Sequence, residues 1–210
     1  MTLSSDPDAQ LMGLFWTLKL DEPLPAAVEP GIAVIFAQAG PEDVAELAAA
    51  MGFDDTLPVL QRFERGCHCY LVRVNGQLVS YGWVTFDEER IGSLGLRVRL
   101  QPGEAYIWDC ATLAVYRGQR LYPALLTHMQ HALRAAGFRR IWIGMDADNL
   151  PSQAGVARAG FQQIVALLQA SNTPTRTFFI RAYPGASQQD VQAAQYALLG
   201  DREANSITLP

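Results

Sequence analysis

The stretch from Glu104 to Met145 constrains the fold of this chain most strongly. Glu104 to Leu113 is typical of a strand, Tyr122 to Ala136 carries apolar residues at helical spacing, and Arg140 to Met145 contains the apolar run Ile-Trp-Ile-Gly-Met. A strand, a helix and a strand within about forty residues form a crossover, and such a crossover joins parallel strands. The pattern therefore predicts a mixed α/β fold.

A hairpin is predicted upstream of this unit. Cys67 to Val74 and Gln77 to Phe86 are apolar runs that flank Asn75-Gly76, and both turn residues tolerate positive φ. Ile32 to Ala37 is β-branched and predicts an earlier strand. Two sheet strands are thus expected to precede the crossover, with a third further upstream.

The remaining elements are expected from turn residues and periodicity. Pro41-Glu42-Asp43 is typical of a helix start, and Gly52 of its end. Leu11 to Leu20 is apolar and ambiguous between helix and strand, while Asp87 to Pro102 is expected to be a loop or bent connection. Further helices are expected at Pro58–Arg65, Ser152–Ala159 and Gln188–Leu199, and final strands at Phe161–Gln169 and Arg176–Tyr183.

Composition narrows the class of protein. The 210 residues carry a formal charge of −5, which argues against a nucleic-acid-binding surface because phosphate neutralisation needs clustered Lys and Arg. Three cysteines are too few and odd in number for a disulfide framework, so a reducing cytoplasm is expected. The polar N-terminus lacks the features of a signal peptide, and the longest apolar runs are short of a bilayer span. No membrane association is expected.

The loop between the crossover's first strand and its helix is the segment most suited to chemistry. It reads Tyr-Arg-Gly-Gln-Arg-Leu-Tyr-Pro from Tyr116 to Pro123. Unpaired N–H groups at a helix N-terminus, together with the helix dipole, form an anion site suited to phosphate. Arg117 and Arg120 can add charge-assisted bonds, and Gly118 allows close backbone approach. An ordinary turn with solvated arginines is the alternative.

These residues, followed by Ala-Leu-Leu, resemble the acetyl-CoA signature of the GNAT superfamily. Arg117 matches the first motif position, whereas Arg120 and Tyr122 stand where glycine or alanine is usual. Asn149-Leu-Pro-Ser152 followed by Ala159-Gly160-Phe161 looks like the family's later helix motif. Both motifs occur in the order and at the spacing of the family.

The resemblance implies the fold in more detail. It implies a mostly antiparallel central sheet with one parallel, splayed strand pair and helices on both faces. It places an N-terminal extension at residues 1–30, an acyl-CoA-dependent N-acyltransferase domain at 31–183, and a C-terminal helix and tail at 184–210.

The resemblance also implies an activity, the transfer of an acetyl group from acetyl-CoA to a primary amine by direct attack in a ternary complex, without a metal. The acceptor, a small molecule or a peptide amine, is left open, as is a homodimer. Longer acyl-CoA, an acyl carrier protein, or a non-catalytic acyl-CoA-sensing module remain alternatives. The implied cofactor-binding residues are Ala111, Thr112, Leu113, Arg117, Gly118, Gln119, Arg120, Leu121, Tyr122, Asn149 and Ser152.

Four residues are candidates for proton transfer. Asp109 is the one charge within Tyr-Ile-Trp-Asp-Cys-Ala, and apolar neighbours suit a carboxylate to act as a general base; a structural carboxylate is the alternative. Glu104, at the start of the strand, is the second candidate base. Val156 occupies the position where many family members carry a Tyr that acts as general acid. Tyr122 or Tyr183 would substitute for it, or no general acid is needed because thiolates leave readily without help.

Other clusters of reactive residues are expected to be structural. In Cys67-His68-Cys69, the cysteines of a strand face one side and the histidine the other, which favours core cysteines over a metal site. His128 and His131 share a helix face without a third ligand. Trp83, Trp108 and Trp142 lie on predicted strands, where they would form core or line an acceptor pocket.

Overall fold

The computed structural model describes residues 9–91, 96–171, 176–200 and 206–209. Its strands are β1 (Gln10–Lys19), β2 (Ile35–Gln38), β3 (His68–Val74), β4 (Gln77–Thr85), β5 (Glu88–Ile91), β6 (Leu96–Arg99), β7 (Glu104–Thr112), β8 (Arg140–Asp146), β9 (Gln162–Gln169), β10 (Arg176–Ala182) and β11 (Ser206–Leu209). Its helices are α1 (Val44–Met51), α2 (Leu57–Glu64), α3 (Leu121–Ala135), α4 (Leu150–Arg158) and α5 (Gln188–Leu199).

Nine of these strands form one sheet, in the order β11-β10-β9-β1-β8-β7-β4-β3-β2. Strands β7 and β8 are paired in parallel and the other neighbours are antiparallel. The crossover predicted from the sequence is therefore confirmed, with α3 connecting the parallel pair. The hairpin is confirmed as well, since Asn75 and Gly76 both have positive φ between β3 and β4.

Helices cover both faces of the sheet, as expected. Alternate strand residues point to opposite sides, so Tyr70 and Val72 pack with α3 and α4 while Cys69 and Leu71 pack with α1 and α2. Helix α5 covers the second of these faces further along the sheet, over Trp142. The sheet is thus the middle layer of a mixed α/β domain.

The ambiguous stretch near the N-terminus is a strand in the interior of the sheet. Strand β1 lies between β8 and β9 and pairs antiparallel with both. Phe15 and Leu18 are buried, and Phe15 stacks on Trp142 of β8 at 4.9 Å between ring centroids. Residues 10–19 therefore contribute to the same sheet as the segment expected to form the domain.

The expectation of a loop over Asp87 to Pro102 is wrong. Strands β5 and β6 form a separate antiparallel hairpin, although residues 92–95 lie outside the described part of the chain. Charged residues obscured the alternation of apolar and polar residues. Glu88 forms a salt bridge with Arg97 across the hairpin, while Leu96 and Val98 are buried. Strand β11 is a further element that was not expected.

The clusters expected to be structural lie in packed surroundings. Cys67 and Cys69 are buried with α1 and α2, whereas His68 lies edge-on against Phe86. His128 stacks on Phe36 with ring centroids 4.8 Å apart. No three His, Cys, Asp or Glu side chains of the described residues are placed to share a metal ion. None of the helices described is long and apolar enough to cross a bilayer.

Candidate active site

The parallel strands β7 and β8 separate part-way along their length. Their pairing runs from Glu104 with Arg140 to Ile107 with Ile143 and ends there, although both strands continue. Beyond Ile107, β7 remains paired with β4 on its other side. The edge of β7 that faces β8 is thus free of strand pairing from residue 108 onward, and a gap opens in the sheet.

A β-bulge lies on β7 at this gap. Trp108 pairs with Trp83 and Ala111 pairs with Tyr81, so Asp109 and Cys110 both lie opposite Gly82. Asp109 has a φ of 44°, in the left-handed region that non-glycine residues rarely adopt. A Cβ on Gly82 would lie 2.8 Å from Cys110 Sγ, so a larger residue at this position would force the side chain of Cys110 to shift.

The loop after β7 leads directly to the N-terminus of α3. A single 3-10 turn over Ala114–Tyr116 is followed by Gly118 with a φ of 78° and Arg120 with a φ of 58°. Arg120 occupies the N-cap but makes no side-chain capping bond, so the N–H groups of Leu121 and Tyr122 are left for another acceptor, while Pro123 has no N–H. Arg117 is held over the loop by its Nε, which donates to Thr112 O at 3.3 Å.

A cavity of about 520 Å³ lies on the α3 side of the gap, between the loop, α3 and α4. Of the binding residues expected from the sequence, it is lined by Ala111, Thr112, Arg117, Gly118, Arg120, Leu121, Tyr122, Asn149 and Ser152. Leu113 and Gln119, which were also expected to bind the cofactor, are not among the lining residues. Leu113 N–H donates to Val79 O at 2.9 Å, and Gln119 O accepts from Gly31 N–H at 2.7 Å.

A second cavity, of about 480 Å³, lies on the other side of the gap. Phe15, Tyr106 and Trp108 supply its aromatic wall, and Asp109 and Asp146 supply carboxylates. The two cavities share four lining residues, which are Cys110, Tyr122, Asn149 and Ser152. A molecule that extends through the gap would therefore reach from the positively charged loop into the second cavity.

Tyr122 lies where the two cavities meet. Its hydroxyl is 3.2 Å from Ser152 Oγ, and burial raises its pKa. The ring has room because residue 155 of α4 is glycine; a Cβ there would be 2.6 Å from Tyr122 Cδ1. Asn149 orients this end of α4, since its side chain accepts from Ser152 N–H at 3.1 Å. The bulky Tyr122 in the motif is thus compensated by Gly155.

Asp109 is not surrounded by apolar groups alone, as its sequence neighbours suggested. Its Oδ2 accepts a hydrogen bond from Arg62 Nη1 at 2.6 Å, and its side chain is 35% exposed. Arg62 belongs to α2, 47 residues away in the chain. Nothing in the local sequence signals this ion pair, because it depends on how α2 packs on the sheet.

Glu104 and Tyr183 are outside both cavities. Glu104 lies at the opposite end of β7, 3.7 Å from Arg140 Nε, and accepts from Gln101 N–H. Tyr183 directly follows the last residue of β10 and is 47% exposed. Val156 is fully buried in the core under α4. The structure therefore brings Asp109 and Tyr122 to the gap, but not Glu104 or Tyr183.

Comparison with protein-family models gives a match to the acetyltransferase (GNAT) family over residues 38–161. The chain belongs to this family. A comparison with curated proteins gave no match. The matched segment includes the crossover, the loop before α3 and α4 itself, so the two motifs found in the sequence lie within the family domain.

Solved structures show the same fold at low identity. An acetyltransferase of the GNAT family from Colwellia psychrerythraea is 17% identical, with a TM-score of 0.57 over 76% of this chain and 55% of that one. A GCN5-related N-acetyltransferase from Sphaerobacter thermophilus is 16% identical, with a TM-score of 0.53 over 73% and 49%. The ribosomal-protein-S18-alanine N-acetyltransferase from Escherichia coli is 16% identical, with a TM-score of 0.50 over 62% and 78%. The chain thus spans about half the length of the first two.

Proposed function

We propose that this GNAT-family protein transfers an acetyl group from acetyl-CoA to a primary amine, by direct attack in a ternary complex. The observation that carries the proposal is the gap between β7 and β8, through which the loop-side cavity meets the second cavity. Such an arrangement lets donor and acceptor approach from opposite sides of the sheet and react where the cavities join.

The loop-side cavity suits coenzyme A. The pyrophosphate would accept hydrogen bonds from the first-turn N–H groups of α3, with Arg117 and Arg120 adding charge. The pantetheine amides would bond to the free edge of β7 beyond Ile107, in the place of a neighbouring strand. The thioester would then lie at the bulge, beside Cys110.

The reaction needs a group that stabilises the negative charge of the tetrahedral intermediate. It also needs two proton transfers, one from the amine and one to the leaving sulfur. The amine nitrogen attacks the thioester carbonyl, a C–N bond forms, and the oxyanion accepts a hydrogen bond from a backbone N–H at the bulge. Collapse breaks the C–S bond and releases the thiolate. We propose Tyr122, whose hydroxyl bonds Ser152, as the group that donates a proton to that sulfur.

Asp109 is the candidate we propose for accepting the proton of the amine. It lines the second cavity, and Arg62 bonds only one of its carboxylate oxygens, Oδ2, among the contacts of the described residues. Glu104 and Tyr183 are not proposed further for catalysis, because they lie away from both cavities. Three unpaired thiols, Cys67, Cys69 and Cys110, fit the reducing cytoplasm that we propose as its compartment.

Turnover tests this proposal directly. The purified protein is incubated with acetyl-CoA and a panel of amino acids, amino sugars, polyamines and peptides, and release of the CoA thiol is followed. We expect amine-dependent release that Asp109→Asn and the Arg117→Ala, Arg120→Ala double variant reduce. Arg134→Ala, at the far end of α3, is the matched control and should be unaffected. Binding of acetyl-CoA without turnover for any amine would instead support a sensing module, and release only with longer acyl-CoA would change the donor.

A further inference from the structure

Arg62 is enclosed by aromatic rings. Its guanidinium carbon lies 4.4 Å from the ring centroid of Trp108, 5.0 Å from that of Trp83 and 5.8 Å from that of Phe53. The side chain is 15% exposed. Removing water from a guanidinium costs little because the group is weakly hydrated, and the aromatic faces add cation–π attraction, so the position of Arg62 is well defined.

Among the described residues, the carboxylate that this guanidinium contacts belongs to the bulge. Arg62 Nη1 donates to Asp109 Oδ2 at 2.6 Å, and Asp109 is the bulge residue with a φ of 44°. A non-glycine residue is disfavoured in this conformation unless its surroundings hold it. Trp108, the preceding residue, stacks against the same guanidinium. Arg62 therefore contacts two consecutive residues of β7 at the point where the strand leaves its parallel partner.

We propose that Arg62 is a positioning residue, which holds the β7 bulge in the shape needed for acyl transfer by fixing Asp109 and Trp108. The effect of Arg62 on acyl transfer rests on the proposed function, whereas its effect on the shape of the bulge, the mechanical part, does not. With Arg62 in place, the carboxylate and the bulge N–H groups keep their directions toward the gap. Without it, Asp109 would leave the left-handed region and the N–H groups would turn.

Amide hydrogen exchange of the β7 segment tests the mechanical part. Exchange is followed by mass spectrometry on peptides that cover residues 106–113, in wild type, Arg62→Gln, Arg62→Lys, Asp109→Asn and the Arg62→Gln, Asp109→Asn double variant. Arg65→Gln is the matched control, since Arg65 follows α2 and pairs with Glu89 instead of the bulge. We expect exchange at least about tenfold faster in Arg62→Gln, because loss of protection reports local opening.

The variants give a specific pattern if the inference holds. Lysine keeps the charge without the planar stack, so Arg62→Lys should restore part of the protection and remain usable if Arg62→Gln folds poorly. The double variant should exchange no faster than the faster single variant, since both changes break one link. Unchanged exchange in Arg62→Gln, or additive effects in the double variant, would overturn the inference.

Kinetics and binding separate positioning from a general loss of structure. For an amine that turns over, Arg62→Gln should lower kcat by about 10- to 100-fold at unchanged KM for acetyl-CoA, as misplacement of reacting groups does. Calorimetric affinity for CoA should stay at the wild-type value. A parallel loss of CoA affinity in Arg62→Gln would contradict the positioning role. Absence of CoA binding in wild type would refute the proposed function, while the exchange data would still decide the role of Arg62.

Discussion

Replacing Gly155 by alanine should damage the junction of the two cavities through Tyr122. The added Cβ would lie 2.6 Å from Tyr122 Cδ1 and 2.9 Å from Cε1, closer than carbon atoms approach. The ring packs against the main core cluster beneath α3 and α4 on one side, so it can be displaced only toward the loop-side cavity. Overpacking of this kind costs about 1–3 kcal/mol, and the helix propensity of alanine recovers up to about 1 kcal/mol. A net loss of about 1–2 kcal/mol in unfolding free energy is expected.

The same substitution should also weaken cofactor binding. A displaced Tyr122 ring would enter the loop-side cavity and lose the 3.2 Å contact of its hydroxyl with Ser152. We expect the affinity for CoA to fall at least about tenfold, equivalent to about 1.4 kcal/mol. Urea denaturation measures the first effect and calorimetric titration with CoA the second.

Two further variants isolate the cause. Tyr122→Phe removes the hydroxyl and keeps the ring, whereas the Tyr122→Ala, Gly155→Ala double variant removes the clash and leaves space. The double variant should bind CoA more tightly than Gly155→Ala does. Wild-type stability together with wild-type CoA affinity in Gly155→Ala would refute this reasoning.

Three other variants test separate parts of the structure by denaturation. Asp190→Asn should cost about 3 kcal/mol, because it leaves Lys19 and Arg140 without their buried carboxylate partner; a loss below about 1 kcal/mol would contradict the importance of this pair. Asn149→Ala should cost about 1 kcal/mol by removing the cap of α4, and an unchanged denaturation midpoint would refute the cap. His128 has a pKa lowered by burial and by the nearby His131, so the unfolded chain takes up its proton first as pH falls below about 6.5. The free energy of unfolding therefore falls between that pH and the lower pKa of His128 in the folded state. The His128→Gln variant should lose less of this free energy over the same interval than wild type. Parallel curves of unfolding free energy against pH for the two proteins would contradict this expectation.

Local patterns predicted most of the fold. The Asn75-Gly76 turn, the crossover from Glu104 to Met145 and α5 depend on residues that are near in sequence, and all are present. The hairpin at β5 and β6 was missed because its alternation is carried by short strands rich in Glu and Arg. The place of β1 between β8 and β9 could not be predicted from the sequence either, because the neighbours of a strand depend on how all the strands of the sheet pair.

The candidate site was predictable in part, for the same reason. Arg117, Gly118 and Tyr122 were found because a loop before a helix has a sequence signature, and they line the loop-side cavity. The contact of Arg62 with Asp109 was not, because it joins two elements far apart in the chain. The charge of Glu104 and its place at the start of the strand do not indicate that this end of β7 lies away from both cavities.

Calorimetric titration with acetyl-CoA and with free CoA tests the central claim most directly. The claim is that the loop before α3 binds the cofactor's phosphates in the cavity that opens onto the β7–β8 gap. We predict one site per chain with micromolar affinity for both ligands, weakened at least about tenfold in the Arg117→Ala, Arg120→Ala variant and unchanged in Arg134→Ala. Absence of binding by either ligand, or equal binding in wild type and the double variant, would contradict the account.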